Sequence, residues 1–154
     1  MPASLKTASV MHSEHTSNIS TSTVTFSNPA GLYDPAPNGY SHVAVVQLPA
    51  RLVHIAGQGG EDAQGRLSPV FEDQVVQALA NLQRALASVD AGLADVARVR
   101  VLVVDHDDRR LELLARQMRA YWGDAGAPTC TLIPVSRLAL EGMLFEIEAE
   151  AYTR

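Results

Sequence analysis

The chain has 154 residues, 47% of them hydrophobic and 19% charged, a size and balance that suit one core. A net charge of -5, a pI near 5.4 and no run of Lys or Arg exclude phosphate-steered nucleic-acid binding and favour a small-molecule partner. No apolar run approaches the about 18 residues of a membrane span. One cysteine excludes an internal disulfide, so a cytoplasmic protein with no membrane partner is the expectation.

Ser and Thr supply ten of the first 23 residues, and large apolar side chains are almost absent there. Such a stretch cannot bury enough area to offset its ordering entropy, so residues 1–22 read as a disordered tail and 23–154 as a single domain. It also lacks the continuous apolar region of a secretory signal. His12 and His15 fall in this tail without the further ligands that zinc needs, so no metal is expected.

"TVTF" at 23–26 is a short strand. "SNPAGLYDPAPNG" at 27–39 has the proline and glycine density of a loop. "YSHVAVVQL" and "RLVHIAGQ" are two further strands, and the short "LPA" between them predicts a hairpin-like turn. His54, inside the second, reads as a packed residue. "GQGGEDAQGRLSP" follows as a glycine-rich loop; with no Lys-Ser or Lys-Thr after it, it is not a phosphate loop.

Val75, Leu79, Leu82, Leu86 and Val89 recur every three or four residues, the buried face of an amphipathic helix that Gly92 would stop. "DVARVRVLVVD" is a strand with Val99, Val101 and Val103 on one face. A second helix follows with Leu111, Leu114, Met118 and Trp122 as its core stripe, Asp107 or Asp108 as its cap and Gly123 or Gly126 as its end. "TCTLIPV" and "GMLFEIEAEAY" close the chain as strands. In the last, Phe145, Ile147, Ala149 and Ala151 alternate with Glu146, Glu148 and Glu150. The order predicts an α+β sandwich: two helices on one face of a mixed, mostly antiparallel sheet of about six strands.

The segments "GLYDPAPNGYSHVAV", "IAGQGG", "FEDQVVQALANL", "DVARVRVLVVD", "APTCTLIPVSRLA" and "FEIEAEA" stand in the order and spacing of the reactive intermediate deaminase (Rid) family, also called YjgF-like or endoribonuclease L-PSP-like. The chain resembles that family over roughly residues 26–152. The resemblance implies a chorismate-mutase-like fold and a homotrimer with small-molecule clefts between subunits. It further implies cofactor-independent hydrolysis of imines and enamines such as 2-aminoacrylate to 2-keto acids and ammonia.

Residue by residue, the family's cleft tyrosine corresponds to Tyr40 and its cleft glycine to Gly57, with Ala56 in place of a serine. Its water-positioning glutamate corresponds to Glu146, the candidate catalytic residue. The arginine that pairs with the substrate carboxylate is absent, and Cys130 stands in its position. A family asparagine would fall at Ala115. His42, two residues beyond Tyr40, projects to the same side of a strand and joins the candidate substrate-binding set of Tyr40, Gly57 and Cys130.

Cys130 has three readings: a pocket-lining thiol, a nucleophile, or a small core residue. A guanidinium clasps a planar carboxylate with two parallel hydrogen bonds, and cysteine cannot. The expected function is therefore a Rid-like hydrolase whose substrate differs from 2-aminoacrylate. The alternative is a non-catalytic trimer that binds a small molecule or a protein. Ribonuclease activity, suggested by the family's older name, conflicts with the acidic balance.

Overall fold

A computed structural model describes residues 23–123 and 126–154. The expected tail, with His12 and His15, lies outside the described residues. Among the described residues, six strands and two α-helices follow in the order β1 (Val24–Ser27), β2 (Val43–Val46), β3 (Arg51–Gly59), α1 (Phe71–Ala87), β4 (Val96–Val104), α2 (Asp108–Trp122), β5 (Thr129–Val135) and β6 (Phe145–Thr153).

Four strands form one mixed sheet in the order β3-β6-β4-β5. Only β4 and β5 pair in parallel, and β6 runs antiparallel to both of its neighbours. The crossovers β3-α1-β4 and β4-α2-β5 both step across the sheet in the same direction. Parallel crossovers are right-handed, so both helices fall on one face. There Val75, Leu79, Leu82 and Leu86 of α1 meet Val99, Val101 and Val103 of β4 and Phe145 and Ile147 of β6, all fully buried. Each such side chain contributes on the order of 1.5–3 kcal/mol.

β1 and β2 pair antiparallel as a separate two-stranded sheet. A single parallel bridge from Ser41 to Thr129 attaches the start of β2 to the outer edge of β5. The hairpin expected between β2 and β3 does not form; β3 pairs with β6 instead. Tight hairpin turns need residues that adopt positive φ, and Leu48-Pro49-Ala50 supplies none.

The helix termini show one further correction. Gly92 is extended, and the left-handed residue after α1 is Asp90, at φ 57°. Ala91 N–H donates to Leu86 O at 3.0 Å and Asp90 N–H to Ala87 O at 3.2 Å, a Schellman closure. α2 starts as expected, with Asp107 accepting from the Arg110 N–H at 2.7 Å. Leu114, Met118 and Trp122 are buried, but Leu111, assigned to the same stripe, is 37% exposed.

Gln74, fully buried on α1, ties two loops to the core. Its amide donates to Ser68 O and Gly142 O, each at 2.7 Å, and its carbonyl accepts from Leu144 N–H at 2.8 Å. Gln74→Leu keeps the volume but leaves three backbone groups without that partner. Each buried unsatisfied group costs about 1–3 kcal/mol. Urea unfolding should show a loss of at least about 2 kcal/mol with an unchanged m-value.

Candidate active site

The register sorts the candidate residues onto two faces. Cys130 pairs with Val99 and Leu132 with Val101, so both point toward the helix-covered side. Glu146 pairs with Leu102, Glu148 with Arg100 and Glu150 with Arg98, all on the open side. Within one chain, then, the sheet separates Cys130 from Glu146.

On the helix side, Cys130 and Tyr40 line a cavity of about 260 Å³ with Tyr33, Asn38, Leu132 and the α2 residues Leu111, Leu114, Ala115 and Met118. A turn at Ala36–Asn38 closes one end. Gly39 sits there at φ 76°, and a Cβ would lie 2.9 Å from that of Met118, so only glycine lets this turn dock on α2. Arg119 secures the turn by donating to Pro37 O.

His42 stands beside this cavity rather than among its lining residues. Its ring meets Tyr33 and Tyr40 edge-on, at centroid distances of 5.0 and 5.6 Å, and its Nε2 lies 2.8 Å from Tyr33 O. It orders the tyrosines rather than the cavity interior. Burial pushes the Cys130 thiol up to about 12, so it is not a thiolate at neutral pH. That argues against the nucleophile reading. Thiol reagents at pH 7–8 should label Cys130 far more slowly in the native protein than in urea; equal rates would refute the assignment.

On the open side, β3 bulges between Ile55 and Gln58. The bulge carries Gly57 over the Glu146 carboxylate, where a Cβ would come within 2.3 Å of Oε1. A residue missed by the sequence reading completes the group. Glu61, in the glycine-rich loop, acts on Glu146 by charge. The Asn81 amide holds that loop by donating to Gly59 O at 3.1 Å and Glu61 O at 2.8 Å.

Why Glu146 differs from its neighbours follows from the cross-strand pairs. Arg100 pairs with Glu148, and Arg98 Nη1 lies 3.8 Å from Glu150 Oε1. The next position on β4 is Leu102, so the charge ladder ends one rung short of Glu146. Partial burial, then the charges of Glu61 and Glu148, raise its pKa above the usual 4.5. His54, expected to pack, is instead exposed on this face opposite Glu150. Val53 and Ile55 take the inward positions.

These features define a small α+β protein with an apolar cavity on one side of its sheet and, on the other, a carboxylate beyond the end of the arginine–glutamate ladder. A sequence profile described as endoribonuclease L-PSP matches residues 33–153, and the chain belongs to that family. YyfB from Yersinia pestis, a crystal structure described as a protein of unknown function of the conserved Rid family, is 37% identical. The match covers 84% of this chain and 98% of YyfB, with a TM-score of 0.80. Rv2704 from Mycobacterium tuberculosis, a member of the YjgF/YER057c/UK114 family, is 28% identical over 84% of this chain and 99% of its own, with a TM-score of 0.58. Escherichia coli TdcF with bound serine shares the fold at 24% identity and a TM-score of 0.60, over 71% of this chain and 85% of its own. No curated protein matches the sequence.

The raised Glu146 pKa makes a signed prediction. The folded chain holds this proton to higher pH than the unfolded chain. The associated stability is present below the usual carboxylate value and lost as pH rises through the raised one. Glu146→Gln should therefore gain melting temperature over the unmodified protein at pH 7 and almost none at pH 4. Leu102→Arg, which extends the ladder, should lower the Glu146 pKa when its carboxylate is titrated by NMR.

Proposed function

We infer that the protein is a hydrolase of a small imine, enamine or related labile metabolite other than 2-aminoacrylate. The observation that carries this reading is the Glu146 carboxylate under Gly57, without an ion-pair partner among the described residues and with its proton affinity raised. Imine hydrolysis needs one group that takes a proton from water and returns one to nitrogen. Water adds to the carbon of the protonated C=N group, forming the C–O bond, while one of its protons passes to Glu146. Glu146 returns that proton to the carbinolamine nitrogen; the C–N bond then breaks as the C=O bond forms, ammonia leaves, and the hydroxyl proton passes to it, giving a carbonyl compound and ammonium.

The reading places the reaction in clefts between the subunits of a homotrimer. Opposite faces of one sheet cannot both touch one small substrate, whereas facing subunits can present Glu146 of one chain to the Cys130 cavity of another. The loss of arginine at position 130 supports a changed substrate, because carboxylate capture by a bidentate guanidinium is missing. Nuclease activity is poorly supported: on the open face Arg98 and Arg100 are already paired with glutamates.

Light scattering should give about three times the chain mass of 16.5 kDa; a monomer at micromolar concentration would undo the cleft. The trimer should hydrolyse 2-aminoacrylate slowly, Cys130→Arg should increase that rate, and Glu146→Gln should remove turnover of every imine tested. Efficient 2-aminoacrylate hydrolysis by the unmodified protein would overturn the changed-substrate reading. Ligand-induced stabilisation without turnover of any imine would favour a binding module instead.

A further inference from the structure

We propose that the cavity between β5 and α2 receives a neutral, apolar side group, an aromatic ring or a branched aliphatic chain, and that it selects for substrates without a carboxylate there. The inference deepens the hydrolase reading, on which it relies for the reaction but not for ligand binding.

The lining itself makes the case. Leu111, Leu114, Met118 and Leu132 line the cavity with aliphatic and thioether groups, and Tyr33 and Tyr40 line it as well. Among the described residues, no Lys, Arg, His, Asp or Glu lines the cavity. Arg119, next in the chain to Met118, is occupied with Pro37 O outside it. An anion entering here would lose its hydration and find no cation from this lining in return. The volume of about 260 Å³ lies close to the roughly 300 Å³ lower end of small-molecule sites. It suits a six-membered ring or a short branched chain better than an extended substrate.

Polar capacity is present but uncharged. Among the described residues, neither the Tyr33 nor the Tyr40 hydroxyl has a protein hydrogen-bond partner, and the Asn38 side chain has none. These groups can satisfy one neutral carbonyl, amide or imine nitrogen at the cavity mouth. Cys130 adds a protonated, polarizable thiol to the floor, compatible with a ring face or a methyl group and unsuited to holding a carboxylate. Leu111 stands at the rim, 37% exposed, which explains why a stripe residue of α2 is not fully covered. Its exposed position makes it the residue through which the preference can be changed without disturbing the core.

Benzamide and benzoate form a matched pair of probes: same ring, nearly the same size, different charge. Calorimetric titration of the full-length protein should show benzamide binding at least tenfold more tightly than benzoate. Leu111→Arg should narrow or reverse that ratio by giving benzoate a counter-ion. Tyr33→Ala, at a position 61% exposed, should weaken benzamide binding without changing the oligomer. Benzoate binding as tightly as benzamide to the unmodified protein would overturn the proposal. So would absence of benzamide binding at millimolar concentration, or binding that neither substitution alters. Benzamide binding with no turnover of any imine would leave this inference standing and remove the hydrolase reading. Imine turnover without benzamide binding would do the reverse.

Discussion

The handedness of two chain crossings decides where everything else can be. β3 to β4 and β4 to β5 are both parallel connections that advance in the same direction across the sheet. Right-handed connections of that kind must lay α1 and α2 on the same side. One face of the sheet therefore becomes the core, lined by Val99, Val101, Phe145 and Ile147. The other face is left to Arg98, Arg100, Glu146, Glu148 and Glu150. The separation of an apolar cavity from a carboxylate is a direct consequence. No local motif produces it, and no local substitution would remove it.

Around this frame, two amides of α1 fix the loops beside Glu146. Gln74 binds the loops before α1 and before β6, so the start of the strand that carries Glu146 is tied to the main helix. Asn81, two turns further along α1, holds the backbone at Gly59 and Glu61. Both use a helical side chain to satisfy backbone groups that no strand partner can reach. Gly57 acts by omission. Its lack of a side chain leaves room for the Glu146 carboxylate at the bulge. The position of Glu146 is thus set by its strand, its bulge and a loop held from α1.

Much of this was legible in the sequence because period and alternation are local. The α1 stripe, the capping Asp107 and the alternation of β6 are each contained within one element and needed no partner. What could not be read was pairing. β1 joins β2 across a long proline-rich loop, while β3 leaves its sequence neighbour for β6. His54 illustrates the cost of a one-residue parity choice: an apolar strand suggested packing, but Val53 and Ile55 hold the inward positions. Leu111 fits the helical stripe and still meets a cavity, because only the docking of the Ala36–Asn38 turn decides where the core ends. Glu61 had no signal at all until the glycine-rich loop was seen beside β6. Cys130 and Glu146 could be named from the family pattern, but their placement on opposite faces required the register with β4.

That placement also bears on how the proton affinity of Glu146 is set. Partial burial is already the largest influence raising the Glu146 pKa, ahead of the charges of Glu61 and Glu148. On the trimer reading, a neighbouring subunit covers Glu146 with a wall built from Leu111, Leu132, Met118 and the Cys130 thiol, none of which offers a cation. Covering it would remove more water and add no opposing charge, so assembly would push the pKa further in the direction it already moves. In a relative that keeps arginine at this position, a guanidinium facing the same carboxylate would pull the other way until a substrate carboxylate occupied it. Replacing arginine by cysteine thus alters two properties together. On the hydrolase reading, it removes the anchor for a substrate carboxylate, and it leaves Glu146 more readily protonated before substrate arrives. A substrate lacking a carboxylate is the one for which both changes are consistent.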